Sequence, residues 1–151
     1  MEDFAADPSH PRYESLLKRH ELENAAKKGM LAGSALIAHG RGEAYDYLLG
    51  EQTIPSAMLA TKFALQQLKN SENAVISLNG NTTAIAGAEL MKLASVIDCP
   101  VEVNIFYRTP GRMKVLLEHL ESINENLGLD VKILGANPDS IIPGLEGPRA
   151  K

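Results

Sequence analysis

The sequence is poor in cysteine and in aromatic residues: it has one cysteine, no tryptophan and three phenylalanines among 151 residues. The single cysteine, Cys99, excludes an intrachain disulfide, which is typical of proteins from a reducing cytoplasm. Because large aromatic side chains are scarce, the core is expected to be mostly aliphatic. Cys99 itself, in the segment VIDCP, is expected to be a small buried hydrophobe rather than a nucleophile.

The chain also lacks the charge and the apolar runs that several protein classes require. Its net charge is −4 and its pI is about 5.6, so it has no basic footprint for nucleic acid. No apolar run is long enough to span a bilayer, and the acidic N-terminus MEDFAADPSHPR lacks the apolar region of a signal peptide. These features predict a cytoplasmic protein of single-domain size with neither membrane nor nucleic acid as a partner.

Motifs for metal binding and for nucleophilic catalysis are missing as well. The four histidines are scattered, without ligand spacing or cysteine partners, so no transition-metal site is predicted. The G-x-S-x-G motif is absent. The segment HGRGEA matches neither the dinucleotide fingerprint nor the P-loop.

The first half of the chain predicts three helices. The first is expected to begin at SHPRY, capped by Ser9 or His10, and to close at Gly29. A short apolar segment, 30–38, leads into HGRG, and a second helix is expected over 43–49. A third is expected over 55–69. The residues expected to share the inner face of the first helix are Tyr13, Leu16, Leu17 and His20, and those of the third are Met58, Leu59, Leu65 and Leu68.

The second half alternates strand and helix patterns. The runs AVISL, VEVNIFY and DVKIL are strand-like, and the two segments between them are helical, the first with a threonine at its cap. The order β-α-β-α-β implies a parallel sheet with right-handed crossovers. The predicted fold is therefore α/β, with a helical N-terminal region followed by a parallel, Rossmann-like sheet. The predicted divisions are a flexible N-terminus (1–8), a single domain (9–146, helices to 70 and sheet unit from 71) and a tail (147–151).

Polar segments follow each predicted strand, at the sheet edge where parallel folds bind ligands. They are Asn79-Gly80-Asn81, Tyr107-Arg108-Thr109, and Gly135-Ala136-Asn137-Pro138. Two of them open helices, whose N-terminal N–H groups attract anions. Arg108 could add a bidentate cation, so the set predicts a phosphorylated ligand.

Each of these residues also has an ordinary structural interpretation. Asn-Gly is a common turn dipeptide. Arg108 and Arg112 could be a solvated helix start, although a cation there opposes the helix dipole, which favours a functional reason for Arg108 more than for Arg112. Asn104, predicted inside the second strand, could simply face solvent.

Arg41 raises a question of its own, because it stands between Gly40 and Gly42. Glycine marks tight turns and places where something approaches the backbone closely. HGRG could be a turn between two helices, with Glu43 well placed in the next first turn. It could equally be a phosphate contact.

Five segments together resemble one known family, the archaeal 4-phosphopantoate–β-alanine ligases, also called phosphopantothenate synthetases. In order they are SHPRYESLLKR, ALIAHGRGEAYDYLLGE, VISLNGN, VNIFYRT and ANPDSIIPGLE. The resemblance extends from Ser9 to Glu146. Members of that family continue beyond PGLE, so the resemblance implies that this chain is C-terminally truncated and covers the larger part of such an enzyme.

The resemblance implies a step of coenzyme A synthesis, in which ATP drives the joining of 4-phosphopantoate and β-alanine. An acyl-adenylate would form, and the amine would displace AMP. ATP is the implied co-substrate, Mg²⁺ would accompany it, and a homodimer is implied. A non-catalytic phosphate- or nucleotide-binding α/β module, or a truncated paralogue, is the alternative.

The resemblance also assigns roles to particular residues. Arg19 and Arg41 would contact ATP, and Arg41 and Arg108 would act in catalysis. The 4-phosphopantoate side is expected at strand-end positions, namely Asn79, Asn81, Asn104, Tyr107 and Arg108.

Overall fold

A computed structural model describes residues 7–136 of the chain. It has a helical N-terminal region followed by a small parallel sheet, so the predicted α/β class is confirmed. The elements are α1 (Tyr13–Lys27), α2 (Ala35–Leu48), α3 (Pro55–Asn70), β1 (Ile76–Leu78), α4 (Gly80–Ile97), β2 (Val101–Val103), α5 (Pro110–Asn126) and β3 (Ile133–Leu134). The domain limits predicted at 8/9 and 146/147 are not tested by the structure, and the second lies outside the described residues.

The sheet has the order β1-β2-β3, and both neighbouring pairs are parallel. The predicted β-α-β-α-β order is therefore confirmed, although the strands are shorter than the runs that predict them. Val101 in the central strand pairs with Ile76 on one side and Ile133 on the other. Asn104 follows β2 rather than lying inside it, while its N–H still donates to the Leu78 carbonyl at 2.8 Å.

The core lies between one face of the sheet and the two crossover helices. Helices α4 and α5 pack on each other and on the strands, and α1 packs on α4. The core is aliphatic, as the composition predicts, and its completely buried side chains are Leu22, Leu78, Met91, Leu116, Leu120, Val101 and Val103. Cys99 is buried and free, as expected.

Two helix starts differ from the predicted caps. Helix α1 begins at Tyr13, and neither Ser9 nor His10 caps it. Helix α4 begins at Gly80, and its N-cap is Asn79 rather than a threonine. The predicted ends at Gly29 and Gly128 are confirmed, since both glycines follow their helices with positive φ.

The N-terminal region departs from the sequence analysis in two respects. Helix α2 runs unbroken from Ala35 to Leu48 rather than over 43–49, so the turn interpretation of HGRG is wrong. The predicted inner face of α3 is largely exposed: α3 buries none of its residues, and Leu59 is 70% exposed. Helical periodicity identifies an apolar face but does not say whether the same chain covers it.

Candidate functional site

The carboxyl ends of β1 and β2 open into a cavity of about 300 Å³, called here the strand-end cavity. It lies where the first turns of α2 and α4 meet the segment after β2. Its lining residues are Ala32, Ser34, Ala35, Ala38, Asn79, Gly80, Asn81, Ile105, Phe106, Tyr107 and Arg112. The cavity brings together three of the five residues predicted to bind substrate: Asn79, Asn81 and Tyr107.

The two asparagines of the cavity also hold the local structure in place. Oδ1 of Asn79 accepts hydrogen bonds from the backbone N–H of Thr82, at 2.9 Å, and from its hydroxyl. Asn79 is therefore a helix N-cap, as the turn interpretation of Asn-Gly allows. Nδ2 of Asn81 donates to the Ala35 carbonyl at 3.0 Å, which ties the start of α4 to the start of α2.

Gly80 is required by a close approach of the backbone. A Cβ at this position would lie 3.0 Å from the Met30 carbonyl oxygen and 3.1 Å from a methyl group of Leu31. The segment before α2 can therefore lie against the first turn of α4 only because residue 80 has no side chain. This contact brings α2 to the mouth of the cavity.

Arg112 is the one charged residue among those that line the cavity. Its Nη1 donates to the Tyr107 carbonyl at 2.6 Å and its Nη2 to the Met30 carbonyl at 3.4 Å. Its Nε is buried and has no hydrogen-bond partner among the described residues. The sequence argument gave Arg112 less weight than Arg108, because spacing alone does not show where a side chain points.

Arg108 lies apart from the strand-end cavity. Its Nη2 donates to the Gly135 carbonyl, and its side chain lines a different cavity, of about 490 Å³, beside α5. Gly135 has φ of +106°, and a Cβ there would lie 2.9 Å from the Val103 carbonyl oxygen, so this approach also needs glycine. The structure thus separates Arg108 from Tyr107, its neighbour in sequence.

A carboxylate that sequence reasoning missed lies in the central strand. Glu102 alternates with Val101 and Val103, so it points to the opposite sheet face, yet it is only 3% exposed. Burial raises the pKa of its carboxyl group, and a hydrogen bond with Ser77 and the charge of Arg108 offset this in part. The sequence signal that could have identified Glu102 is a glutamate inside a valine-rich strand.

Asn104 lines a shallow cavity of about 320 Å³ together with Ser77, Asn79 and Phe106.

Arg19 and Arg41, the predicted ATP contacts, line none of the cavities described here. Arg19 pairs with Glu23 on the surface of α1, at 3.3 Å. Arg41 is exposed on α2, and Cβ atoms added at Gly40 and Gly42 would meet nothing within 4 Å. Neither glycine is needed by a turn or by a contact with the described residues.

A larger cavity, of about 620 Å³, lies between α1 and α2. Charged side chains of both signs line it, and an ion pair between Arg12 and Glu43, at 3.0 Å, closes one wall. The Glu43 carboxylate also accepts a hydrogen bond from the Ser15 hydroxyl. Nε2 of His39 is buried in this region without a partner among the described residues.

The described part of the chain contains neither a cluster of metal ligands nor a membrane-spanning helix. Nowhere within residues 7–136 do three His, Cys, Asp or Glu side chains gather closely enough to hold a metal ion. Over the same range, no helix has the length and apolar character needed to cross a membrane.

Known proteins similar to this chain are ligases. It is 45% identical over 143 residues to the 4-phosphopantoate–β-alanine ligase of Thermococcus onnurineus and 44% identical over 143 residues to that of Thermococcus kodakarensis. It is 41% identical over 140 residues to the ligase of the same name from Methanosarcina mazei. These alignments cover 93% to 95% of this chain but 53% of each relative, so the chain spans about half the length of the curated relatives it matches.

A sequence model of one protein family also matches the chain, and the match includes β1, α4, β2, α5 and β3. The family is described as phosphopantothenate/pantothenate synthetase, and the match covers residues 56–151. Since it extends over more than half of the sequence, this chain belongs to the phosphopantothenate/pantothenate synthetase family.

Proposed function

We propose that the chain carries out, or forms the larger part of an enzyme that carries out, the ATP-dependent ligation of 4-phosphopantoate and β-alanine. The products would be 4′-phosphopantothenate, AMP and pyrophosphate, in a step of coenzyme A synthesis in the cytoplasm. The observation that carries this proposal is a cavity at the carboxyl ends of two parallel strands, lined by Arg112 and by the polar residues Asn79 and Asn81. It occurs in a chain whose relatives bear the name of this ligase.

The chemistry needs electrostatic stabilisation more than a protein nucleophile. The pantoate carboxylate would attack the α-phosphate of ATP, pyrophosphate would leave, and the amine of β-alanine would then displace AMP from the acyl-adenylate. Negative charge develops on phosphate oxygens in the first step, and fixed cations stabilise it. We assign this catalytic role to Arg41 and Arg108, which both carry the charge and the bidentate geometry it needs.

The two substrates would contact different residues, with the pantoate carboxylate next to the α-phosphate of ATP. ATP would lie along α1 and α2, at Arg19 and Arg41, where the open faces of Gly40 and Gly42 leave room for a phosphate chain. The 4-phosphopantoate would lie at the strand ends, near Asn79, Asn81, Asn104 and Tyr107, and would extend toward Arg108 in the cavity beside α5. Mg²⁺ is expected with ATP, and the phosphate oxygens would supply most of its ligands, because Mg²⁺ in such sites uses only one or two carboxylates of the protein.

A second copy of the chain is the proposed protein partner. Helices α2 and α3 expose several large apolar side chains, with Tyr45 at 65%, Leu48 at 80% and Phe63 at 62%. Exposed apolar surface of this extent is typical of protein interfaces. A homodimer through these helices would cover it.

Release of AMP tests the proposal directly. The chain is incubated with ATP, Mg²⁺ and 4-phosphopantoate, with and without β-alanine, and AMP and 4′-phosphopantothenate are measured. AMP that rises on addition of β-alanine supports the ligase. No AMP from a folded chain that still binds ATP favours the second candidate, a nucleotide-binding module. That candidate is supported by the separation of the two proposed catalytic residues, since Arg41 is exposed on α2 and Arg108 lines the cavity beside α5.

A further inference from the structure

Arg112 has an unusual environment for a cation. Two of its N–H groups donate to backbone carbonyls, those of Tyr107 and Met30, and its buried Nε has no partner within residues 7–136. A buried N–H without an acceptor is energetically unfavourable. The carbonyls fix the guanidinium in place but do not neutralise it. The side chain is thus held in one orientation with donor capacity left over.

The surroundings of Arg112 add further positive charge to that of its guanidinium. The strand-end cavity lies at the starts of α2 and α4, and Arg112 stands in the first turn of α5. Each helix N-terminus carries partial positive charge, which opposes a nearby cation. No acidic residue is among the described lining residues, and no described carboxylate pairs with Arg112. Arg112 and the helix N-termini therefore give the strand-end cavity a positive potential that no described lining residue neutralises.

We propose that Arg112 is an anion-binding residue of the strand-end cavity and that its ligand is a phosphoryl group. A guanidinium recognises phosphate oxygens in bidentate geometry, and helix N-termini add N–H donors. The cavity, about 300 Å³, has room for a phosphoryl group and several waters. The inference rests on the proposed function, which supplies two sources of such a group, 4-phosphopantoate and ATP. The neighbouring Asn79, Asn81 and Tyr107 make 4-phosphopantoate the expected one.

The experiment has to distinguish a purely structural role of Arg112 from its proposed role in anion binding. Its bonds to Tyr107 and Met30 join two loops, so Arg112→Gln could weaken the fold as well as binding. Ala38→Glu avoids that difficulty, because it leaves Arg112 and its carbonyl partners intact. Ala38 is exposed and lines the same cavity, and side chains on a helix point toward its N-terminus. A carboxylate at residue 38 would therefore lie over the cavity and occupy the place of the anion.

The test measures binding rather than turnover, so that it does not depend on whether the chain is a complete ligase. Titration calorimetry is run on the full chain with 4-phosphopantoate and, separately, with ATP. The variants are Arg112→Gln and Ala38→Glu. The matched controls are Lys92→Gln and Ser95→Glu, which make the same charge changes at exposed positions of α4. Circular dichroism confirms that each variant is folded.

We expect both cavity variants to bind 4-phosphopantoate at least roughly tenfold more weakly, and both controls to match the parent chain. Ala38→Glu should also melt at a higher temperature, because its carboxylate compensates Arg112. If ATP rather than 4-phosphopantoate loses affinity, the phosphoryl group on Arg112 is that of the nucleotide. Unchanged affinity of Ala38→Glu for both ligands would overturn the proposal, and so would a parent chain that binds neither. A chain that binds through Arg112 but releases no AMP would show that the chain alone is not a complete ligase, while leaving this proposal standing.

Discussion

Arg12 and Glu43 form a partly buried ion pair, 3.0 Å long, that joins the start of α1 to the middle of α2. Arg12 also pairs with Glu51, and its guanidinium lies over the ring of Tyr47 at 5.3 Å. These contacts fix α2 on α1 although α2 buries none of its own residues. The placement of Arg41 relative to α1 therefore depends on these polar contacts as well as on Ala35 and Leu36, which pack against the core at the start of α2.

Removal of this ion pair should loosen α2. Glu43→Gln keeps the shape of the side chain but removes its charge, so we expect a loss of about 1 kcal/mol in the free energy of unfolding. The loss should shrink in high salt, because the pair is screened. Urea denaturation at low and high salt checks this. Glu14→Gln, an exposed change on α1, is the control, and equal effects of the two changes would contradict the prediction.

The two glycines that flank Arg41 should cost the fold some stability. Both lie within α2 with open space around them, and glycine inside a helix is about 1 kcal/mol less favourable than alanine. Gly40→Ala should therefore raise the melting temperature, and if ATP approaches this face it should also weaken ATP binding. Differential scanning calorimetry with and without ATP checks both parts. A variant that is more stable and binds ATP unchanged would argue against a nucleotide at this face.

Gly80→Ala, in contrast to Gly40→Ala, should lower the stability of the fold. The new methyl group would lie 3.0 Å from the Met30 carbonyl, so the backbone of one segment has to move. We expect a loss of about 1–3 kcal/mol, as for other overpacked positions. Gly111→Ala is a matched control in α5, where nothing lies within 4 Å of the added atom. Chemical denaturation should show destabilisation for the first change only, and equal midpoints would contradict the close approach.

Glu102 should make stability depend on pH. Burial raises the pKa of its carboxyl group above the value in the unfolded chain. As the pH rises above about 4.3, the unfolded chain releases this proton first, so stability falls until the folded pKa is passed. Glu102→Gln removes this contribution, so its advantage over the parent chain should grow with pH across that window. Urea midpoints from pH 4 upward check the slope, and Glu89→Gln, an exposed change on α4, should leave it unaltered.

The sheet unit could be predicted from the sequence because its signals are local. Strands such as ISL are short buried apolar runs, and the helices between them begin and end at recognisable caps and glycines. The order of these elements then dictates a parallel sheet. Residues at the strand ends, such as Asn79 and Tyr107, could be grouped for the same reason.

The course of the N-terminal helices and the directions in which the arginine side chains point could not be predicted in this way. The glycines of HGRG suggested a turn, yet helical hydrogen bonds continue through them because neighbouring turns of α2 hold the backbone. Arg108, just before α5, and Arg112, in its first turn, line different cavities, because Arg108 reaches Gly135 and Arg112 reaches Met30, which is distant in sequence. Contacts between residues that are distant in the sequence produce no periodic pattern in it, so they could not be predicted from it.

The exposed apolar side chains of α2 and α3 should make the stability of the chain depend on its concentration. Leu59 and Phe63 lie one turn apart on α3, at 70% and 62% exposure, and a second copy would shield them. If it does, the melting temperature should rise with protein concentration, because association stabilises the folded state by mass action. Replacing Leu59 and Phe63 by lysine should remove this dependence and give a monomer in sedimentation analysis, whereas Lys62→Gln on the same helix should not. A sharp melt of a monomer, independent of concentration, would mean that this apolar surface needs no partner to remain folded and soluble.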